Sequence, residues 1–465
     1  MSEQSQPRLV GDTPAGGSVM SFYLPKGAQR PPRIARGEGV YLYDETGKQY
    51  FDATSGAVVS NLGHSNPRVV AAMIEQAQRV TFAYPRFFES EHNVRLADQL
   101  TGLAGEGFER AFFVSGGSEA NESALKLARQ YAVARGEGAR FKVIARDPSY
   151  HGSTMGAMAV TGDSFTESIY RPMMRPMPKI PAPLTYRLVP GINAEEHVAA
   201  CAQALEAKRL EECPQTVLAF IIEPIGGLSS GALVSPASYY RKVREICDRY
   251  GVLLIHDEIM SGAGRSGAFL SSQHWAGSRP DIVTLAKGLA AGYTPFGAVL
   301  APNRIVETIG GHGGFVHGHT YFSNPFSCAV AAAVLDEVVQ QRLVERAARM
   351  GAYLDARLRD LQSRTPLIGD VRGKGLLMAI ELVADQATRR PLPAPMNAPA
   401  RLTQYGLAHG IALYNRRANR GEFGDMQLIA PPLIVTESQI DELIDRLERS
   451  LADFERDLKR EGQLQ

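Results

Sequence analysis

Asp257 and Lys287, thirty positions apart, are the pair in this chain best placed for chemistry. Asp257 follows the apolar run VLLI in GVLLIHDEIMSGAGRSG (251–267), and Lys287 follows IVTLA in DIVTLAKGL (281–289). Short runs this apolar read as buried strands of a parallel sheet, and in open α/β sheets ligands bind outside the carboxyl ends of the strands. A lysine amine there can condense with an aldehyde. A buried carboxylate beside it can keep a pyridine nitrogen protonated, so that the ring draws electrons from a bound substrate. Covalent anchor and electron sink together are what pyridoxal phosphate chemistry requires. Taken singly, each residue has commoner uses, the aspartate as a helix cap or ion-pair partner and the lysine as a solvated surface charge.

A third element supports the pair. The segment Val114–Asn121, VSGGSEAN, leads from the apolar AFFV into the helical pattern ESALKLARQYAVA. Gly117 lets the backbone approach an anion, Ser118 is placed to cap the helix and donate its hydroxyl, and the free amides of the first turn point the same way. This predicts a phosphate cradle.

These blocks, with SYHGSTMGAMAVTG (149–162), FIIEP (220–224), TLAKGLAAGYTPFGAV (284–299) and HGHTYFSNP (317–325), resemble in order and spacing the signature segments of class III aminotransferases. The likeness runs from about residue 35 to PPLIVTE, before the last helix. It implies the fold type I of pyridoxal phosphate-dependent transferases, a large α/β domain with a mostly parallel sheet covered by helices, and a smaller α+β domain built from both chain ends. It also implies pyridoxal 5'-phosphate held by Lys287 as an internal aldimine. A ping-pong reaction would then move an amino group from an amine or (ω-)amino acid to a 2-oxo acid such as pyruvate. In that reaction Lys287 carries a proton from the substrate's α-carbon to the cofactor, and Asp257 stabilises the pyridinium. Gly117 and Ser118 hold the phosphate with Thr320 of the partner subunit, Tyr150 stacks on the ring with His151 alongside, and Glu223 is the nearby carboxylate that can pair with a mobile arginine. The implied assembly is a homodimer, with pairing into a dimer of dimers left open.

The resemblance is high for the family and low for the substrate. Where many relatives carry Gln three residues after the ring-binding Asp, this chain has Met260, which weakens the ornithine and 4-aminobutyrate branches. In NRRANRGEFGDMQLIAPPL the arginines Arg416, Arg417 and Arg420 occupy the region of the switchable arginine, with Arg416 or Arg417 the nearer match. Phe22, Tyr23, Phe87 and Phe88 are candidates for the wall of an aromatic substrate pocket. An aminomutase of the same fold is the runner-up.

At 465 residues the chain suggests one large and one smaller domain, with the N-terminal arm and part of the small domain in 1–65, the large domain in 66–328 and the rest of the small domain in 329–465. With 50 Lys+Arg against 49 Asp+Glu there is no basic stripe, which argues against nucleic-acid or membrane-surface binding. Neither a targeting leader nor a membrane span is visible, so a cytoplasmic enzyme is expected. Cys201, Cys213, Cys247 and Cys328 are widely spaced and read as reduced, structural thiols. GVYLYDETGKQYFDATSG reads as a hairpin turning at Asp44–Gly47, and part of the polar, Gly- and Pro-rich arm of residues 1–35 reads as irregular. From 66 to 325, strands alternate with helices. Beyond Asn324 the periodicity turns helical through AVAAAVLDEVVQQRLVERAARMGAYLDARLRDL, VRGKGLLMAIEL supplies a strand, and VADQATRRPLPAPMNAPA reads as a loop. The last helix opens with the capping box Thr436-x-x-Gln439 and stripes Ile440, Leu443, Ile444, Leu447, Leu451 and Phe454 on one face.

Three rival readings use the same residues. Gly262-Ala-Gly264-Arg-Ser-Gly267 matches a dinucleotide fingerprint, but no helical stripe follows it and Asp281 precedes its strand. Gly227-Leu-Ser229-Ser-Gly231 matches the serine hydrolase elbow, with Asp257 and His274 in the right order. Here Glu223-Pro224 intervenes after the strand, and Pro236 is the better helix start. His312, His317 and His319 suggest metal ligands, yet no carboxylate or cysteine completes a site at ligand spacing, so no metal is expected.

Overall fold

The computed structural model describes residues 30–188, 191–415 and 421–464. Near the amino end β1 (Ile34–Glu38), β2 (Tyr41–Asp44) and β3 (Gln49–Asp52) form an antiparallel meander. The β2–β3 turn falls where its residues predict it. The Asp44 carboxylate accepts from the amides of Thr46 and Lys48 at 2.9 and 3.0 Å, tying the turn to its own first residue.

The central sheet is built from β4 (Arg110–Val114), β5 (Lys142–Asp147), β6 (Lys179–Pro181), β7 (Val217–Ile222), β8 (Leu253–Asp257), β9 (Ile282–Ala286) and β10 (Gly297–Ala301). Its order is β4-β10-β9-β8-β7-β5-β6. All neighbours pair in parallel except β10, which runs antiparallel to both β9 and β4. Strands β7 to β10 are buried at every position, which is why they read as continuous apolar runs.

Alternate residues serve opposite faces. Ala219, Ile221 and Ile255 pack with Ala120, Ala124 and Leu127 of helix Gly117–Ala134. On the other face Phe220, Ile222 and Leu254 meet helices Ala194–Glu211 and Ala237–Tyr250. Val283 and Leu285 meet helices Glu91–Ala104 and Pro325–Gln340 there. Helices on both faces bury the sheet and leave its carboxyl edge as the open end.

The C-terminal part adds β11 (Ile368–Lys374), β12 (Leu377–Leu382), β13 (Ile411–Ala412), β14 (Tyr414–Asn415) and β15 (Asp425–Ile429). Four of them make a sheet in the order β11-β12-β15-β14, while β13 pairs in parallel with β3. The two chain ends therefore share one sheet. Their apolar cluster runs from Val40 and Phe51 to Leu451 and Phe454. The last helix, Glu437–Arg460, carries the expected box, Thr436 Oγ1 accepting from Gln439 N and Gln439 Oε1 accepting from Thr436 N, and its whole stripe is buried.

Two local expectations gain detail. The helical stretch after Asn324 is two helices, Pro325–Gln340 and Leu343–Arg364, separated at Arg342 with φ +52. The left-handed residue redirects the chain so that Val338 and Leu343 both stay in the core. VRGKGLLMAIEL is not one strand but the β11–β12 hairpin, which reverses at Gly375 with φ +60. Among the described residues no helix is long and apolar enough to cross a membrane. Cys201, Cys247 and Cys328 are buried free thiols, and Cys213 is an exposed one.

Candidate active site

The carboxyl ends of five strands deliver the residues singled out from the sequence. Gly117 and Ser118 follow β4, Tyr150 and His151 follow β5, Glu223 follows β7, Asp257 ends β8 and Lys287 follows β9. Because the strands between β5 and β9 are parallel and adjacent, these ends form one edge.

Asp257 is buried and fully engaged on one oxygen. Its Oδ2 accepts from Asn121 Nδ2 at 2.8 Å and pairs with His151 Nδ1 at 2.8 Å. Its Oδ1 accepts from the Ile259 amide at 3.1 Å and keeps a lone pair for a further donor. Asn121 is itself fixed, donating to His151 O at 2.6 Å and accepting from Thr284 Oγ1 at 2.8 Å. His151 Nε2 is buried without a partner among the described residues. Asn121, which contacts Asp257, and Thr284, which contacts Asn121, are positions that the sequence reading does not single out. The available signal was an amide side chain between Ala120 and Ala124, on a helix whose sheet-facing positions are otherwise mostly apolar.

Lys287 sits in the left-handed region, φ +46, so the chain turns sharply as it leaves β9. Burial pushes its amine down to about 8 and Arg265 adds to this, against the opposing carboxylates of Asp257 and Glu223. Below that value the amine holds a proton and has no lone pair; above it the amine is a nucleophile. Cofactor-free protein is therefore expected to capture pyridoxal phosphate faster as pH rises, levelling off above about 8. The check is the rate at which a visible band grows in at a series of pH values. A midpoint near that of a free lysine would place Lys287 in open water.

The cradle departs from expectation in one respect. The helix starts at Gly117 with Gly116 as its N-cap and no side-chain cap, so Ser118 lies in the first turn and does not cap it. The first intrahelical bond runs from Ala120 N to Gly116 O, leaving the amides of Gly117 and Ser118 ahead of it. Ser118 Oγ accepts from Ser153 N at 3.0 Å, which ties the helix start to the Tyr150–Ser153 loop and leaves the hydroxyl proton free to donate. A Cβ on Gly117 would lie 3.0 Å from the Ile259 side chain, so backbone alone fits at that point.

Tyr150 is partly buried, with its amide on Glu223 Oε2 at 3.3 Å and its hydroxyl 3.0 Å from Ser153 Oγ. Glu223 Oε1 accepts from Gly227 N at 2.9 Å. Burial raises the Glu223 carboxyl and Asp257 adds to the rise, while His151 and Arg146 oppose it. Arg146, buried on β5, donates to the Glu223 carbonyl oxygen.

The remaining candidates lie apart or outside. Thr320 is exposed on the loop before helix Pro325–Gln340, a loop that meets the end of β4 through Ser323 N on Phe113 O at 3.2 Å. Phe87 and Phe88 are 71% and 63% exposed. Phe22, Tyr23, Arg416, Arg417 and Arg420 fall outside the described residues. The hydrolase constellation is not assembled: Ser229 is buried in a loop, His274 Nε2 is bonded to Ser266, and Asp257 is bonded to His151 instead. The Gly262–Gly267 turn leads into a short 3-10 helix at Ser271–His274, unsuited to a dinucleotide. His312 meets Thr308 O apart from the other two, while His317, on Ser123 Oγ, packs edge-on at 6.1 Å against His319, which lies 3.5 Å from Glu119.

The donor set fits pyridoxal phosphate. It offers an amine with a lowered proton affinity, a buried carboxylate with an open lone pair, and a glycine-serine helix start with free amides.

Residues 23–451 match the family model described as aminotransferase class-III. The putrescine–pyruvate aminotransferase of Pseudomonas aeruginosa is 35% identical over 421 residues, covering 88% of this chain and 88% of that protein. The diaminobutyrate–2-oxoglutarate transaminase of Halomonas elongata is 32% identical, covering 93% of this chain and 92% of that protein. Among solved structures, the PLP-bound amine transaminase of an uncultivated Pseudomonas species is similar at a TM-score of 0.86 and 36% identity, covering 94% of this chain and 99% of that one. The ω-transaminase of Pseudomonas jessenii in complex with PMP is similar at 0.85 and 33%, covering 91% and 92%.

Proposed function

The chain belongs to the class III aminotransferases and is a pyridoxal phosphate-dependent transaminase, and on that premise we propose that Lys287 is its covalent anchor and Asp257 the partner of the ring nitrogen. The observation that carries this reading is the convergence of Lys287, Asp257 and the Gly117–Ser118 helix start on one carboxyl edge. When bound, the cofactor supplies an electron sink that acidifies the substrate's α-carbon.

The chain's own residues do the rest. Asp257, held by Asn121 and His151, keeps a negative charge where the ring nitrogen needs one. Lys287 would hold the cofactor through its amine and, when that amine is free, would take the proton from the substrate's α-carbon and pass it on to the cofactor. The amides of Gly117 and Ser118 bind the phosphate, and Tyr150 covers the ring from the loop that Ser118 fastens. Glu223 faces the acceptor side, where Arg416 or Arg417 would pair with it or with a substrate carboxylate. Phe22, Tyr23 and Phe88 would line the donor pocket.

The donor we favour is an amine, a diamine or an ω-amino acid, with pyruvate as acceptor. The similarity to a putrescine–pyruvate enzyme supports this choice. The test is a panel of such donors with pyruvate and with 2-oxoglutarate, following alanine and glutamate. Alanine formed from a diamine is the expected result. Rearrangement of an amino acid without any acceptor would instead make the chain an aminomutase.

A homodimer with Thr320 lent to the partner's phosphate is the assembly we propose. What supports it is the apolar surface beside Thr320: Tyr321 is 65% exposed and packs edge-on against Phe82, and Phe322 meets Tyr84, which packs against the exposed Phe87. Aromatic surface of this kind marks an interface. Mixing Lys287→Ala with Thr320→Ala chains should restore activity above either parent, since a mixed dimer has one site with both lesions and one with neither. Parental activity in demonstrated heterodimers would confine Thr320 to its own chain. Division at 65 and 328 is our proposal for the domains, supported by the β3–β13 pairing that joins the two ends. A cytoplasmic setting agrees with four free thiols.

A further inference from the structure

The GAGRSG segment, left without a role by the chemistry above, is a docking turn. A Cβ on Gly262 would lie 2.6 Å from Leu285 on β9, and one on Gly267 would lie 2.9 Å from Ala348 of helix Leu343–Arg364. The turn is thus wedged between the strand that carries Lys287 and the C-terminal part of the chain.

At its centre Arg265 is 1% exposed, and its guanidinium reaches three distant segments. Nη2 donates to Ser55 Oγ at 3.1 Å and to Asn61 Oδ1 at 2.6 Å. Nη1 donates to Leu376 O at 3.1 Å and to Pro431 O. Leu376 N returns a bond to Arg265 O at 3.0 Å. Every one of these acceptors is uncharged. Burial accordingly pushes the guanidinium down to about 9, with Asp52 acting in the opposite sense. Burying an arginine without a carboxylate partner is costly, a cost that a purely structural fork would avoid by pairing.

The charge sits behind the lysine. Asn61, gripped by Arg265, donates to Ala263 O at 3.2 Å, and its side chain abuts Gly288, where a Cβ would lie 2.2 Å from Asn61 Nδ2. Gly288 is the residue after Lys287. We propose that Arg265 is the positioning residue of Lys287: through Asn61 and Gly288 it fixes the lysine's backbone, and it sets a buried guanidinium without a carboxylate partner behind it. This rests on the reading that Lys287 is the anchor. The charged groups that act on the Lys287 amine are Asp257 from β8, Glu223 from β7 and Arg265 from the turn; His151 is bonded to Asp257, and Asp52 acts on Arg265. Two carboxylates raise the lysine's proton affinity, and Arg265 is the cation set against them.

The experiment is a pH titration of the visible band of the loaded enzyme, which reports protonation of the Lys287 nitrogen, combined with steady-state rates. For Arg265→Gln the midpoint should rise by about one pH unit or more, and kcat should fall by at least about tenfold. Arg265→Lys, which keeps the charge, should hold the midpoint near the wild-type value. Should Arg265→Gln fail to fold, Asn61→Ala removes the contact with Gly288 and leaves the cation; its kcat should fall with little change in KM. An unmoved midpoint in Arg265→Gln, or an unmoved kcat in Asn61→Ala, overturns the inference. Borohydride reduction of the wild type with peptide mapping separates the two possible failures. If the label is on Lys287, only the positioning role has failed; if it is elsewhere, the anchor assignment has failed with it.

Discussion

Replacing Lys287 with alanine should lower transamination by on the order of 10⁴-fold or more, because one side chain supplies both the covalent anchor and the proton carrier. The fold should survive. Ala286, Leu289 and Ala290 around it are buried apolar residues that do not depend on the amine. Stability should even favour the variant in one window. Burial lowers the folded-state affinity of Lys287 to about 8, below its unfolded value, so between these two pH values the unfolded chain binds the extra proton and the wild type gains stability as pH rises. Below about 8 the wild type bears the whole cost of a buried charge, which the alanine variant lacks. Cofactor-free Lys287→Ala is expected to melt no lower than cofactor-free wild type at neutral pH. Retained turnover, or retained reducible colour, would move the anchor to another lysine.

Asp257→Asn is the second large effect, with a loss in kcat of about 10²–10³-fold, the range for removing one preorganised electrostatic partner from a buried site. The substitution keeps the shape and removes the charge. It also disturbs the local bonding, since Asn121 Nδ2, His151 and the Ile259 amide all address the carboxylate oxygens, and an amide offers only one acceptor oxygen. Single-turnover bleaching of the visible band by an amine isolates the proton-transfer half of the reaction. Near-normal bleaching would leave Asp257 with a structural role.

Lys287 and Asp257 were legible in the sequence because each sits at the end of an apolar run, and a parallel sheet buried on both faces writes its strands as such runs. The partners that hold Asp257 were not. Asn121 lies 136 positions away, and nothing local to either residue encodes their 2.8 Å contact. Residue type misled at Ser118, a good capping residue that the chain places one step inside the helix because Gly116, extended at φ −179, already serves as the N-cap. The break at Arg342 was equally hidden: its flanks are both strongly helical, and what separates them is the need to keep Leu343 in the core. The Gly262–Gly267 spacing illustrates the converse. Glycines that read as a nucleotide fingerprint are there for close packing against Leu285 and Ala348, contacts made by residues far along the chain.

The most direct test of the central claim is to reduce the loaded enzyme with borohydride, digest it and locate the cofactor-bearing peptide by mass. Lys287 has one competitor among the described residues. Burial also pushes Lys179 down to about 8, although its amine is held by the carbonyl oxygens of Ala159 and Met177. The label is expected on the peptide containing Lys287 and not on that containing Lys179; a label on Lys179, or on any other lysine, would contradict Lys287 as the anchor.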